Sequence, residues 1–143
     1  MGIQDYLLRA AERYPHKNAL IEADKSFTYF QILTGSQSIA SLLLDENIKS
    51  GERVGILLDE PGDYVKAYFG ILMADAAIVA LNTQTSSRTL RSIISDAEIS
   101  ILITNPKFMK YIKEIDQFIP SLRLIVLNTP SLHDTSCSSI KYV

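Results

Sequence analysis

The chain has 143 residues, 47% of them hydrophobic and 21% charged, with six Gly and five Pro, the balance of an ordered globular domain rather than a disordered or collagen-like one. Fourteen basic residues against sixteen acidic ones leave a formal charge of −2, which gives no electrostatic footprint for nucleic acid. The longest purely apolar run is Ala76–Leu81, far short of the roughly 20 residues of a membrane span, so no membrane partner is expected. Met1-Gly2-Ile3-Gln4-Asp5 lacks the charged and apolar regions of a signal peptide, and Cys137 is the sole cysteine, so no internal disulfide can form. A cytoplasmic location is the expectation.

In chain order, Ile3, Tyr6, Leu7, Ala10, Ala11 and Tyr14 fall on one face of an amphipathic helix that Pro15 stops. Ala19-Leu20-Ile21 reads as a short strand, Glu22 to Lys25 as a turn, and Ser26-Phe27 as the return strand. Thr28-Tyr29-Phe30-Gln31 fits a capping box, with Phe27 and Ile32 placed for a hydrophobic staple. The helix it opens carries Ile32, Leu33, Ser36, Ile39, Ala40, Leu43 and Leu44 on one side and ends near Asn47.

Val54–Leu58 is a continuous apolar run, as in a strand covered on both faces. Asp63 to Ala74 is apolar on nearly every side, the pattern of a buried helix. Ala77–Leu81 reads as a second buried strand, and Ser86 caps a helix carrying Leu90, Ile93, Ile94 and Ala97. Ile99–Ile103 reads as a third strand. Asn105-Pro106 reads as an N-cap followed by Pro at the first helical position, opening a helix with Phe108, Tyr111, Ile112, Ile115 and Ile119 on one face. Leu122–Leu127 is a fourth strand, and a short strand is possible at Ile140–Val143. The expectation is an α/β protein of three α/β/α layers. Its mainly parallel, doubly wound (flavodoxin-like) sheet is preceded by a helix, a short hairpin and a second helix. One domain spans 1–143, with a lead-in over 1–50, the alternating core over 51–127 and a polar tail over 128–143.

Parallel sheets bind ligands beyond the carboxyl ends of their strands, here Asp59-Glu60, Asn82-Thr83, Thr104-Asn105 and Asn128-Thr129. No G-x-G-x-x-G or G-x-x-x-x-G-K-[ST] loop follows any of them, and there is no G-x-S-x-G elbow. A phosphoacceptor receiver needs an aspartate ending a middle strand and a lysine ending the last. Asn82 and Thr104 stand at the middle ends and no lysine stands at the last, so Asp59 and Glu60 read as a solvated turn before a helix. His16 and His133 sit in polar, turn-like contexts, and Cys137 has no neighbouring base or cation. Tyr64, Tyr68 and Phe69 read as packing residues. No catalytic, cofactor-binding or metal-binding residue is assigned.

Several stretches together resemble the adenylate-forming (AMP-binding) superfamily of acyl-CoA synthetases, nonribosomal peptide synthetase adenylation domains and luciferases. Phe27–Ile32 is similar to its (L/F)-T-Y-x-E-L element, and Lys49–Leu58 to its G-D-x-V-A-I-x-L element. Tyr68–Asn82 resembles F-x-G-x-L-K-A-G-A-x-x-V-P-L-N, and Leu90–Thr104 resembles L-x-x-I-L-x-D-S-x-A-x-x-L-I-T. The resemblance runs in order over residues 1 to about 127. The family's glycine falls on Asp75, where a left-handed backbone is expected, and its prolines fall on Ala80 and Thr83. The family's phosphate loop, adenine-binding motif, ribose-binding aspartate and C-terminal lysine have no counterpart among these residues.

The resemblance implies the N-terminal fragment of an AMP-forming acyl-activating ligase: an excised piece, a truncated gene product or half of a split enzyme. The complete enzyme would use ATP and Mg to join a carboxylate to AMP and pass the acyl group to CoA or a carrier protein. This chain would be scaffold, taking no cofactor alone, with the remainder of the enzyme or a complementing chain as partner. The alternative is a non-catalytic binding or assembly module that self-associates or complements a partner chain, and a third is an unrelated flavodoxin-like domain holding a small anion at a helix N-terminus.

Overall fold

A computed structural model describes residues 2–127 and 141–142. The elements run α1 (Ile3–Arg13), β1 (Asn18–Glu22), β2 (Lys25–Thr28), α2 (Tyr29–Asp45), β3 (Arg53–Leu57), α3 (Pro61–Met73) and β4 (Ala77–Ala80). They continue with α4 (Ser87–Asp96), β5 (Ile101–Thr104), α5 (Met109–Ile115) between two short 3-10 turns, β6 (Leu124–Leu127) and β7 (Lys141–Tyr142). The chain separates into two compact units: Met1–Gly51 with Glu60–Ala77, and Glu52–Asp59 with Ile78–Val143.

The first unit holds three helices and the antiparallel β1–β2 hairpin, in which Leu20 faces Phe27 and Glu22 faces Lys25. The capping box opens α2 as the sequence predicts. Thr28 Oγ1 accepts from the Gln31 amide at 3.2 Å, and Gln31 Oε1 accepts from the Thr28 amide at 2.9 Å. The two helices α2 and α3 meet through small residues. Ser36 and Ala40 of α2 and Ala67 and Gly70 of α3 are buried, and the Ser36 hydroxyl is satisfied inside its own helix by donating to the Ile32 carbonyl at 2.8 Å. A methyl group added at Gly70 would lie 2.7 Å from Ile39 Cβ and 2.8 Å from the Ser36 carbonyl oxygen. Glycine here lets two backbones approach to a distance that a side chain forbids.

Burial corrects the reading of α3. Its small residues and Ile71 are buried, whereas Tyr64, Val65, Tyr68, Phe69, Leu72 and Met73 are only half-buried. The Tyr68 and Phe69 rings pack edge to face with centroids 5.7 Å apart.

The second unit is built on a five-stranded sheet of order β4-β3-β5-β6-β7. Four of these strands run parallel: β3 beside β5, β5 beside β6, and β6 beside β7. This is the flavodoxin-like strand order expected from the alternating pattern, and it places the topological switch point between β3 and β5. The register sets Gly55 beside Leu102 and Leu102 beside Ile125, and these share a side with Leu57. Leu57, Leu102 and Ile125 pack with Leu90 and Ile94 of α4 and Ile112 and Ile115 of α5 in one apolar cluster. The alternating residues Val54, Ile56, Ile101, Ile103, Leu124 and Val126 are buried as well, so the runs are apolar at every position. β4 departs from the sequence reading. It is the edge strand, and its residues are intermediate or exposed rather than buried.

Three helices end alike. After α2, α3 and α4 a residue turns into the left-handed region: Asn47 at φ 59°, Asp75 at φ 58° and Glu98 at φ 51°. Each time the following amide donates five residues back, from Ile48 to Leu43, Ala76 to Ile71 and Ile99 to Ile94. These are Schellman closures in which both outer residues are apolar. The left-handed backbone expected at Asp75 is therefore present, without the glycine that would make it free of strain.

Candidate functional site

The ligand position of a parallel sheet lies beyond the carboxyl ends of the two strands that flank the switch point. At that place the structure brings together residues that stand 46 and 48 positions apart in the chain. The Lys107 ammonium pairs with Asp59 Oδ2, and Asn105 Nδ2 donates to Asp59 Oδ1 at 3.2 Å. Beneath them the buried Thr104 hydroxyl donates to the Leu57 carbonyl at 2.9 Å, tying the two strand ends together. The Lys107 side chain is half exposed and that of Asp59 one-third exposed. The hydrogen bond from Lys107, aided by that from Asn105, holds the Asp59 carboxyl below its ordinary range and outweighs the opposing effect of burial.

Asn105 is 9% exposed, and its Oδ1 has no hydrogen-bond partner among the described residues. It stands at the N-cap of the turn Pro106–Phe108 but makes no side-chain cap bond. The sequence reading of Asn105 as an N-cap therefore holds for position and fails for the side chain, because Asp59 has drawn its amide away.

Asp59 is more than a solvated turn residue. Lys107 escaped the sequence reading because it stands three residues beyond β5 rather than at a strand end. The signal that could have found it is complementary charge after two strands that the flavodoxin order makes neighbours. Of the other strand ends, Asn82 closes an Asx turn, accepting from the Gln84 amide at 2.9 Å. Asn128, Thr129, His133 and Cys137 lie outside the described residues, and His16 is exposed.

At the amino ends of the same strands, Glu52 Oε1 accepts from Ser100 Oγ at 2.6 Å and from Arg123 Nε and an Arg123 terminal nitrogen at 3.0 and 2.8 Å. This cluster joins the approaches to β3, β5 and β6 and is structural in kind. Two open grooves lie on the surface of the described residues. One of about 390 Å³ is lined by Arg91, Ser92, Ser95, Asp96 and Phe118. The other, of about 370 Å³, is lined by Phe27, Gln31, Thr34, Gly35, Ser38 and Lys66, with the Lys66 ammonium 4.5 Å from the Phe27 ring centre. Among the described residues no three His, Cys, Asp or Glu side chains group to hold a metal ion. No helix among them is long and apolar enough to cross a membrane.

An α/β chain with this strand order and these sequence elements has clear relatives. The profile of the AMP-binding enzyme family matches residues 7–139, and the chain belongs to that family. It is 30% identical over 123 residues to a long-chain-fatty-acid–CoA ligase of Bacillus subtilis, covering 82% of this chain and 22% of the ligase. It is 30% identical over 106 residues to vanchrobactin synthetase of Vibrio anguillarum, covering 74% of this chain and 4% of the synthetase. An anthranilate CoA ligase solved in complex with anthranoyl-AMP superposes with a TM-score of 0.82 at 27% identity, covering 87% of this chain and 24% of that one. The chain thus spans about a quarter or less of the length of these relatives.

Proposed function

We propose that the chain is the N-terminal scaffold of an AMP-forming acyl-activating ligase. The complete reaction joins a carboxylate to the α-phosphate of ATP with release of pyrophosphate. A thiol of CoA or of a carrier protein then displaces AMP from the acyl-adenylate. The observation that carries this reading is the family match across residues 7–139 together with the small share of each relative that the chain spans. The reading assigns no reacting group to these 143 residues. Their sequence contains no glycine-rich phosphate loop, and Asp59, the acidic residue at the switch point, is already held by Lys107 and Asn105. The partner on this reading is the remainder of the adenylating enzyme or a complementing chain.

The test is ATP–pyrophosphate exchange with the purified 143-residue chain across a panel of fatty, aromatic and amino acids. The expected result is no exchange above the blank. Exchange with any acid in the absence of a second polypeptide contradicts the reading.

Self-association is the second reading, favoured by exposed apolar side chains in the first unit. Tyr6 is 67% exposed and Ile21 72%. Sedimentation expected on this reading shows mass rising with concentration, and a clean monomer throughout opposes it.

A further inference from the structure

A sheet edge presents a row of unpaired backbone donors and acceptors, and native proteins guard such rows with charge or proline. Among the described residues β4 is the outer strand on one side of the five-stranded sheet. Neither guard stands in it. Residues 76–83 include no charged side chain and no proline, whereas β7 at the opposite edge carries Lys141. The difference is sharpest at Ala80, where the V-P-L-N element of the family has proline. One bond fixes which way the backbone groups of β4 point. The Leu81 amide donates to the Ile56 carbonyl at 3.0 Å, so Leu81 faces β3. Strand residues turn to alternate sides, so Val79 also faces β3, and the N–H and C=O of Ile78 and Ala80 face outward. Ala80 is exposed, and no strand lies beyond it among the described residues. A proline at this position has no N–H to point out of the sheet, so alanine adds an outward donor.

We propose that β4 is the docking edge for a second copy of this chain, paired antiparallel across a two-fold axis beside Val79. That register sets Ile78 opposite Ala80 of the second copy and Ala80 opposite its Ile78. Each such pair exchanges both N–H···O=C bonds. The outward groups of β4 are thus complementary to themselves, as a two-fold interface requires, and the contact closes as a dimer rather than running on as a filament. Residues 76–83 are uncharged, so no like charges meet across the axis. The inference rests on the self-association reading and gives it a place: the sheet edge of the second unit, and not the exposed Tyr6 and Ile21 of the first.

The test is sedimentation equilibrium of the full chain, with amide hydrogen exchange followed by NMR over the same concentration series. A reversible monomer–dimer equilibrium is expected. The Ile78 and Ala80 amides are expected to exchange more slowly as concentration rises, while Val79, already turned toward β3, keeps its rate. Ala80→Pro restores the family's residue and removes the outward N–H, and it is expected to raise the dimer dissociation constant about tenfold or more. Thr83→Pro, the other family proline, lies beyond the strand and is expected to leave that constant unchanged, as is Ile21→Ser. A monomer at every concentration overturns the inference and the self-association reading together. A dimer that Ala80→Pro leaves intact, or that Ile21→Ser dissolves, overturns the inference alone. Protection of Ile78 and Ala80 on the unaltered chain decides the matter even where a variant fails to fold: a dimer without it overturns the edge.

Discussion

The two units of the chain are packed by opposite means. In the first, α2 and α3 approach through Gly70, Ala67, Ser36 and Ala40, and the contact is close because the side chains are small. In the second, the core of the sheet and of the helices α4 and α5 is filled with Ile and Leu, eleven of them in one cluster among the described residues whose members are at most 6% exposed. Close-packed interiors tolerate neither a void nor an excess of atoms, and the larger cost follows the side chains that make each contact. Deletion of methyl groups should strike the second unit, and their addition the first.

The largest expected effect is in the second unit. Ile94 is fully buried between α4 and the sheet residues, and Ile94→Ala should cost about 2–5 kcal/mol in urea unfolding, through lost transfer energy and the residual cavity. Next is Gly70→Ala in the first unit. The new methyl meets backbone as well as side chain, so α2 and α3 must separate, with an expected loss of about 1–3 kcal/mol by the same measurement. A Gly70→Ala chain as stable as the original would show that the helix contact is loose, and the comparison would fail.

Smaller changes act on the helix ends. Asp75 and Glu98 hold left-handed backbone at helix termini, one in each unit. Asp75→Gly and Glu98→Gly should each raise stability by about 1 kcal/mol by relieving strain. Glu98→Gly also removes the Arg53 pair at 3.2 Å, which is exposed and contributes little. A gain at both sites shows that the two units share this local cost despite their different cores. The smallest effect is the pH dependence of the Asp59 clamp. Its carboxyl is lowered from 3.8 by Lys107 first and Asn105 after it, so its contribution is full above the ordinary carboxylate range. It is lost as pH falls from there through the lowered value. Unfolding midpoints of the original and Asp59→Asn chains should differ at pH 6 and converge in strong acid. Parallel curves would contradict this.

The sequence disclosed what is local. The Thr28–Gln31 box, the Pro15 stop, the Ser86 cap and the apolar runs of β3, β5 and β6 each follow from rules that operate within a few residues, and all are present. Even the left-handed Asp75 was legible, because it stands where the resemblance places glycine. Burial was less so. An apolar α3 reads as buried on every side, yet its aromatic residues are half exposed, and β4 reads as buried although the strand order makes it an edge. Hydropathy records what a residue can bury and not where its element falls. The candidate site was least legible of all. Asp59 meets Lys107 only after β3 and β5 have paired, and the orphaned Asn105 oxygen is a consequence of that meeting. Taken alone, Asp59 and Asn105 read as an ordinary turn residue and an ordinary cap, and Lys107 carries no local signal.

On the proposed function the chain is scaffold and does not hold ATP by itself. Calorimetric titration of the purified chain with ATP in the presence of magnesium tests that claim most directly. No saturable heat at millimolar nucleotide is expected. A stoichiometric isotherm of one ATP per chain would contradict it.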